Sequence, residues 1–536
     1  MNWAGNHLIV APVVLPLLAA AVMLALGGER HRSINAVLNV VTALALIAIS
    51  ATLLCKADAA PGGIWNVYRL GDWPVPFAIV LVLDRLSALM LLLTSLLGTA
   101  AAVFSLARWH RAGVHFHPLL QFLLMGLNGA FLTGDLFNLF VFFEVLLAAS
   151  YGLVLYGSGS VRVMTGMQYI AINLVASLLF LVGVSLIYGV TGTLNMADLA
   201  ARIAALPAGD RALLEAGAGI LAVAFLVKAG MWPLCFWLPG TYAAVPAPVG
   251  AIFAILTKVG VYVLLRLWLL LFGAGAGAPA HFGGELLFAG GMATIVFGAI
   301  GTLASQDMSR LAACSVLVSS GTVLAALGLA QTGVTGGALF YLISSTLGLG
   351  AFFLLIELIE RGREPGADVL AVTREVYGEE DEPESEDEAG IAIPATIALL
   401  GLAFIGCAVV IAGLPPLSGF VAKFAMLSAA LQPNTAVPVH SWVFLVILIL
   451  SGLAALIAMT RAGIRVFWVS EREAPRVRLI EMAPVAVLLL LCVLQTVQAG
   501  PVMRFMQATA QSLHTPHDYM RGVLEFSSMR RPAGGT

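Results

Sequence analysis

Long apolar runs recur from one end of the chain to the other, and they limit it to one class of protein. A helix that crosses a bilayer needs about 20 consecutive, mostly apolar residues. The chain of 536 residues is 60% hydrophobic and only 10% charged, whereas soluble domains have about 25% charged residues. We therefore predict an all-α polytopic membrane protein with about 14 transmembrane helices, at residues 8–28, 34–55, 77–107, 115–133, 135–157, 166–190, 212–238, 248–271, 284–304, 309–330, 335–358, 391–431, 441–461 and 481–500.

Two of these runs, 77–107 and 391–431, are too long for one straight crossing. The first is expected to begin at the membrane interface around Asp84 and Arg85. The second contains the proline pair 415–416, and proline in a helix interior removes a backbone hydrogen bond and breaks or kinks the helix. We therefore predict that span twelve is a broken helix.

Spans seven and twelve are alike, since each is long, is interrupted by proline and carries one lysine, Lys228 or Lys423. They lie five spans apart, and an odd separation gives opposite orientations. Similar broken helices in two halves of a transporter indicate inverted repeats with the functional site near the breaks. Lys228 precedes its prolines, whereas Lys423 follows its own. The predicted regions are N-terminal helices 1–107, first repeat 115–271, second repeat 284–461, helix fourteen at 481–500 and a tail at 501–536.

The basic residues predict the orientation, because cytoplasmic loops carry an excess of lysine and arginine. One set of alternate loops holds fourteen basic residues and the other set holds eight. With the richer side in the cytoplasm and an even number of spans, both termini lie outside.

An acidic loop at 361–390 interrupts the apolar pattern on the predicted cytoplasmic side. Eight of the ten residues in 379–388 are acidic. This composition is typical of a solvated, disordered loop. The alternative is a segment that attracts cations or docks a partner.

Lysine is placed unusually in this sequence. The chain has four lysines, and three of them, Lys228, Lys258 and Lys423, lie inside apolar runs. A charge at the bilayer centre costs roughly 3 kcal/mol on insertion scales. Burial disfavours the charged form of lysine, which can then release its proton, whereas arginine stays charged. This choice of residue indicates proton handling, although Lys258 and Lys423 could instead be structural lysines that snorkel to an interface.

Glu144 lies near the centre of span five and is the acidic residue deepest in a span. Intramembrane charges are rarely without a role. Glu144 and Lys228 could neutralise each other across two helices, and separating them would let the lysine lose its proton. We therefore predict an ion-pair switch, with a structural carboxylate as the alternative.

Other polar residues in or near the spans have weaker signals. Asp84, Arg85, Asp135 and Glu357 lie near span ends, where a structural role is favoured. The hydroxyls of span eleven could carry water between sites, but small hydroxyls also pack membrane helices. They are Ser344, Ser345 and Thr346.

Several functional classes find no support in the sequence. The five cysteines are scattered, and no Cys/His cluster suggests a metal site or a disulfide framework. There is no glycine-rich phosphate loop with a lysine and no nucleophile motif. We therefore predict no cofactor, no enzymatic activity of its own and no nucleic-acid partner.

Three segments resemble a known family: TGDLFNLFVFFEVLLAASYGL at 133–153, VKAGMWPLCFWLPGTYAAVPAPVGAIFAILTKVGVY at 227–262 and AGLPPLSGFVAKFAML at 412–427. They are similar to the antiporter-like subunits shared by respiratory complex I and the multisubunit Mrp cation/proton antiporters. The resemblance covers about residues 75–465, and GDLFNLFVFFE resembles the D subunit of Mrp antiporters in particular.

The resemblance implies fourteen helices, inverted five-helix repeats, broken helices seven and twelve, and a polar axis of ionisable residues and water. It implies that Glu144, Lys228, Lys258 and Lys423 match the family's ionisable positions in spans five, seven, eight and twelve. Many relatives place a histidine between the last two positions. This sequence has the span-eleven hydroxyls there, so the link would depend on water.

The predicted function is that of an inner-membrane, proton-translocating subunit of a Na+(K+)/H+ antiporter driven by the proton motive force. Its implied partners are subunits A, B, C, E, F and G, protons, Na+ or K+, and the lipid bilayer. The alternative is a proton-pumping subunit of respiratory complex I or of a membrane-bound hydrogenase. A non-transporting assembly scaffold is a third class.

Overall fold

The computed structural model describes residues 7–60, 64–75, 77–109, 113–157, 159–277, 279–361, 395–431, 437–468 and 477–525. Residues 362–390 of the predicted acidic loop 361–390, including the stretch 379–388, lie outside the described residues. All elements below belong to the described ranges.

The first half of the chain contains ten α-helices and one pair of strands. In chain order they are α1 (Ala11–Leu26), α2 (Arg32–Ala59), β1 (Ile64–Arg69), β2 (Val80–Asp84), α3 (Arg85–Ser105), α4 (Phe116–Leu132), α5 (Leu136–Val154), α6 (Ser160–Thr191), α7 (Met196–Ala204), α8 (Arg211–Ala229), α9 (Leu238–Ala244) and α10 (Ala247–Phe272).

The second half is helical throughout its described part. Its elements are α11 (Gly284–Ala304), α12 (Met308–Gly328), α13 (Thr332–Glu360), α14 (Ala395–Ala412), α15 (Ser418–Ala430), α16 (Val439–Phe467), α17 (Leu479–Val497), α18 (Ala499–His514) and α19 (His517–Glu525).

Each of the fourteen predicted runs contains a helix. Within the described ranges, 12 helices are long and apolar enough to cross a membrane. The shorter apolar helices α1 and α4 occupy the first and fourth predicted spans, and α15 is the second part of span twelve. The predicted fold class is confirmed, whereas the inverted repeats and region boundaries stay predictions.

The long run 77–107 becomes helical only at Arg85, where a start is expected, and not at its first residues. Its first residues form strand β2, which pairs antiparallel with β1 from Arg69 opposite Val80 to Ile64 opposite Asp84. The helix α3 then starts directly after Asp84, whose side chain accepts a hydrogen bond from the Ser87 backbone. The all-α prediction missed this hairpin, because the apolar strand reads as part of the adjacent helix.

Both predicted helix breaks are present. Helix α8 ends before Gly230 (φ 71°), and α14 is followed by Gly413 (φ 75°). Glycine adopts this left-handed backbone without a side-chain penalty and commonly ends helices. In each case the chain continues through prolines into a second, shorter helix, α9 or α15.

Helix α10 lies at the centre of the molecule and is buried along its length. It packs against α8 on one side and against α3, α12 and α13 on others. Helix α13 is almost as deeply buried and contacts α12, α14, α15, α17 and α18. Side chains from the middle of these two helices therefore point only at other helices.

The C-terminal segment folds back over the protein as α18 and α19, which the sequence analysis treated as a simple tail. Helix α18 packs on α13, and His514 at its end is 2.9 Å from the Thr335 hydroxyl. Burial lowers the pKa of His514. Helix α19 packs on α7 and β1, so it covers the end of the molecule where the hairpin lies.

Candidate functional site

Lys228 lies in the last turn of α8, just before the break. Its side chain is buried, and its Nζ atom has no hydrogen-bond partner within the described residues. The ammonium instead lies 4.8 Å from the centre of the Phe143 ring on α5. An aromatic face attracts a cation at this distance, so the ring is the group that Lys228 contacts in this conformation.

Glu144 follows Phe143 on α5 and is partly buried. Its Oε1 atom is enclosed and has no hydrogen-bond partner among the described residues. Glu144 is near enough to act electrostatically on Lys228, but the two side chains form no ion pair there. The structure thus brings the predicted pair into neighbouring positions with the pair open, and the switch itself stays a prediction.

Lys258 lies in the middle of α10 and is 0% exposed. Ile255, Val259 and Val261 around it are fully buried as well. The Nζ atom donates a hydrogen bond to the Ser320 hydroxyl on α12 over 3.0 Å. Snorkelling to an interface is therefore the wrong interpretation for Lys258.

Lys423 lies in α15, just after the second break. Its Nζ atom donates a hydrogen bond to the Ala412 carbonyl, the last residue of α14, over 2.9 Å. The side chain passes over Gly413, where an added Cβ atom would lie 2.7 Å from the lysine Cδ. Glycine thus leaves room for the lysine, and the ammonium occupies the helix break instead of an interface.

Hydroxyl groups connect the region of Lys258 to helix α13. Ser320, which accepts the bond from Lys258, is preceded in the chain by Ser319. The Ser319 and Ser345 hydroxyls are hydrogen-bonded at 2.8 Å between α12 and α13. Both residues are buried, so this bond lies inside the helix bundle.

A second hydroxyl pair joins helix α13 to the second part of the broken helix. Ser344 on α13 and Ser418 at the start of α15 are hydrogen-bonded at 2.7 Å. Lys423 lies five residues further along α15, about one and a half helical turns away. Thr346 bonds back to the Leu342 carbonyl of its own helix and takes no part. We call the set Ser320, Ser319, Ser345, Ser344 and Ser418 the hydroxyl line.

A small cavity of about 20 Å³ adjoins the Ser319–Ser345 bond. A cavity holds a water molecule when it offers at least about 10–15 Å³ and two to four polar partners. This one meets both conditions. Its hydroxyl-bearing lining residues are Thr302, Ser315, Ser319, Tyr341, Ser345 and Ser451.

Arg266 lies two turns beyond Lys258 on α10 and forms a buried ion pair with Asp84. One of its nitrogens also donates to the Tyr262 hydroxyl over 3.2 Å, and Tyr519 of α19 lies over its guanidinium. Burial alone would raise the pKa of Asp84, but the Arg266 charge and hydrogen bonds outweigh it and hold that pKa below its usual range. The pair joins the hairpin to the central helix, which agrees with a structural role for Asp84.

The other charges near span ends also make structural contacts. Asp135 accepts two backbone hydrogen bonds and so caps the start of α5, and burial raises the pKa of its carboxyl. Glu357 accepts a hydrogen bond from the Trp109 indole over 2.8 Å and pairs with Arg361. Arg85 pairs with Asp58 at the end of α2.

The sequence analysis missed four residues of this arrangement: Phe143, Ser319, Ser320 and Ser418. The run Ser319–Ser320–Gly–Thr in span ten was the available signal, because adjacent hydroxyls at mid-span mark a polar face. Phe143 gave no signal, since phenylalanine is common throughout the spans. In the described residues no group of three or more His, Cys, Asp or Glu side chains is placed to hold a metal ion.

Comparison with known proteins identifies the family to which the chain belongs. The family model described as NADH:quinone oxidoreductase/Mrp antiporter, TM, matches residues 133–454. The chain belongs to this family. Its matched region contains Glu144, Lys228, Lys258, Lys423 and the entire hydroxyl line.

Relatives of this family member align along nearly its full length. The D subunit of a probable K(+)/H(+) antiporter from Rhizobium meliloti (strain 1021) is 60% identical over 527 residues, which cover 97% of this chain and 98% of the relative. The D subunit of the Na(+)/H(+) antiporter of Bacillus subtilis (strain 168) is 32% identical over 527 residues, covering 97% and 100%. The resemblance to the D subunit seen in the sequence motifs is thereby confirmed.

A solved structure gives the same fold. A chain in the structure of the Mrp complex from Dietzia sp. DQ12-45-1b superposes with a TM-score of 0.79 at 25% sequence identity, covering 98% of this chain and 100% of that chain. The antiporter-family member described here is therefore a multi-pass membrane protein of the Mrp and complex I type.

Proposed function

We propose that this chain is the proton-translocating membrane subunit of a multisubunit monovalent cation/proton antiporter driven by the proton motive force. The observation that carries the proposal is the set of three buried hydrogen bonds made by Lys258 and the hydroxyl line between α10, α12, α13 and α15, the helix that carries Lys423. A lysine that is fully buried in a membrane span, as Lys258 is, rarely lacks a functional role. The names of the antiporter relatives give the same class of activity.

In the proposed mechanism the lysines hold and release protons, and the hydroxyls pass them on. A proton leaves the Nζ atom of Lys258 through the Ser320 oxygen that accepts its hydrogen bond. Each serine both donates and accepts, so a proton received on one side can be matched by one released on the other. Two steps of the line, from Ser320 to Ser319 and from Ser345 to Ser344, join adjacent residues of one helix, and in the proposed mechanism water bridges them.

Lys228 and Glu144 provide the electrostatic part of the mechanism. With the pair closed, both groups stay charged and the lysine keeps its proton. With the pair open, the buried ammonium loses its stabilising partner and can release the proton. One proton that crosses 100 mV yields roughly 2.3 kcal/mol, which suffices to drive a cation outward if the exchange is electrogenic.

The partners and location follow from the same proposal. We infer a bacterial inner-membrane complex with subunits A, B, C, E, F and G and with both termini of this chain outside the cytoplasm. Alkaline phosphatase fused after residue 536 should be active, because this enzyme folds only outside the cytoplasm. An inactive fusion in an assembled complex would reverse the orientation.

The test uses everted vesicles that contain the complete complex. Addition of K+ or Na+ should collapse a preformed proton gradient in the wild type and leave it intact with Lys228→Ala. Lys56→Ala removes the fourth lysine, which lies at the end of α2 away from this path, and it should retain activity. A K+- or Na+-dependent collapse in an assembled Lys228→Ala complex would overturn the proposal.

The second candidate, a redox-driven pump subunit, rests on the family's shared fold with complex I. It predicts that the vesicles move protons only when an electron donor and acceptor are supplied. Cation-dependent proton movement without any redox substrate excludes it. A scaffold role would instead leave transport unaffected by neutral substitutions of Lys228 and Glu144.

A further inference from the structure

Phe143 lies next to Glu144 in the chain, and its ring faces the Lys228 ammonium at 4.8 Å from the ring centre. The Lys228 Nζ atom has no hydrogen-bond partner in the described part of the chain, and neither has the Oε1 atom of Glu144. The ring therefore supplies the close attraction that this ammonium has in the open arrangement. A buried cation over an aromatic face is attracted more strongly than an exposed one.

The Phe143 ring is fixed in place by other aromatic side chains. It is 2% exposed, and its centre lies 5.8 Å from that of Phe225 and 6.2 Å from that of Phe180. Phe140 also packs against Phe180, with 5.5 Å between the ring centres. Aromatic pairs at these distances and inclined angles are favourable, so the face that meets Lys228 is held by its neighbours.

The ring and the carboxylate lie close together along α5. Phe143 and Glu144 are consecutive residues of this helix, so they project from almost the same height. Glu144 acts electrostatically on Lys228, and the lysine side chain is a flexible four-carbon stem. Both groups are therefore candidate positions for the ammonium of this one side chain.

We propose that Phe143 is a positioning residue whose ring face is the alternative binding position of the Lys228 ammonium when it leaves Glu144. The proposal rests on the proposed function and adds the structural element that keeps the ion-pair switch from remaining closed. A carboxylate as the sole partner would hold the ammonium. A ring attracts the cation more weakly than a carboxylate does, and so it stabilises the open arrangement while opposing release of the proton less than the closed pair would.

The test replaces Phe143 in the complete complex by phenylalanines that carry one to five ring fluorines. Fluorine withdraws the negative charge of the ring face and changes the ring's shape little. Antiport turnover should fall stepwise with the number of fluorines, by about tenfold for the most fluorinated ring, in the range of a desolvated cation–π contact. The same substitutions at Phe104 on α3, which is 0% exposed and lies outside this aromatic cluster, should leave turnover unchanged.

Ordinary substitutions give a second measurement. Phe143→Met keeps an apolar side chain of similar length, and it should lower turnover as far as heavy fluorination does. Phe143→Tyr keeps an electron-rich face and should retain most activity. Turnover that is independent of fluorine number, or is equal in the Met and Tyr variants, would show that Phe143 only fills space.

Lys228→Ala in the same preparation separates this proposal from the proposed function. If that variant is inactive while fluorination has no effect, the role of Phe143 is overturned and the proposed function stands. If Lys228→Ala transports normally, both are overturned.

Discussion

Lys228 and Lys423 each lie at a break in a transmembrane helix, but their surroundings differ. Lys228 lies over an aromatic face, and its Nζ atom has no hydrogen-bond partner within the described chain. The Glu144 carboxylate acts on it electrostatically without forming an ion pair. Lys423 is bonded to a backbone carbonyl, and its helix begins with a serine of the hydroxyl line. The two helix breaks have similar backbones, but a cation–π contact attracts Lys228 and a backbone hydrogen bond holds Lys423.

We propose that this contrast divides the site into two halves, which do not coincide with the two halves of the chain. The switching half is the surroundings of Lys228, where phenylalanine rings cannot exchange protons and the variable is the position of a charge. The conducting half runs from Lys258 through the hydroxyl line to Lys423, where hydroxyl groups can donate and accept protons. Substitutions should affect the two halves of the site differently.

The largest effect is expected from the switching half. Glu144→Ala should lower antiport by at least about 100-fold, because Lys228 then has no carboxylate to return to. The double variant Glu144→Ala/Lys228→Ala should be no worse than either single one, since residues that act as a unit are not additive. Transport in everted vesicles at matched protein levels checks this. Losses that simply multiply would show two independent sites.

The next largest loss of activity is expected at Lys258, in the conducting half of the site. Its variants test whether this residue transfers protons or supplies a fixed charge. Lys258→Ala should remove most activity, and Lys258→Arg should be nearly as damaging, because a guanidinium keeps its charge but does not deprotonate in proteins. Proton uptake by the reconstituted complex compares the two variants with the wild type. Substantial recovery with arginine would leave Lys258 a structural charge.

A smaller effect is expected from the hydroxyl line. Ser344→Ala removes the 2.7 Å bond to Ser418 and should reduce turnover roughly three- to tenfold, since a water can replace part of the lost connection. Ser344→Thr keeps the hydroxyl and should retain activity. Thr346→Val, which removes a hydroxyl bonded within its own helix, is the matched control. Equal loss in the Ser344→Ala and Thr346→Val variants would mean that these hydroxyls serve packing.

The smallest effect is expected from the acidic stretch 379–388. Its composition indicates a solvated segment, and it contains none of the lysines or hydroxyls of the site. Deleting it should leave antiport within a few-fold of the wild type, measured with a properly inserted complex. Complete loss of transport would identify the stretch as a docking or gating element.

The sequence was sufficient to predict the spans and both breaks because these depend on local composition. Apolar length defines a crossing, and proline and glycine define an interruption. The hairpin before α3 could not be separated from the helix that follows, since Val80–Leu83 is as apolar as a helix and its pairing partner lies more than ten residues away.

The candidate site was predictable to the extent that it is made of charges. Lys228 and Lys258 are conspicuous in apolar runs, because a charge there has a high cost. Their partners are ordinary residues whose role arises only from tertiary packing. Ser320 and Phe143 become neighbours of these lysines when α10 meets α12 and α8 meets α5, and single-sequence patterns carry no information on those contacts.

The hydroxyl line has no group that can hold an excess proton between Lys258 and Lys423. A serine is neither protonated nor deprotonated at cellular pH, so none of these five residues can hold an excess charge while it waits for the next step. In the proposed mechanism a proton that leaves Lys258 must therefore reach Lys423 or return. Release by one lysine and uptake by the other would then be a single linked event, with no group between them at which the proton could wait.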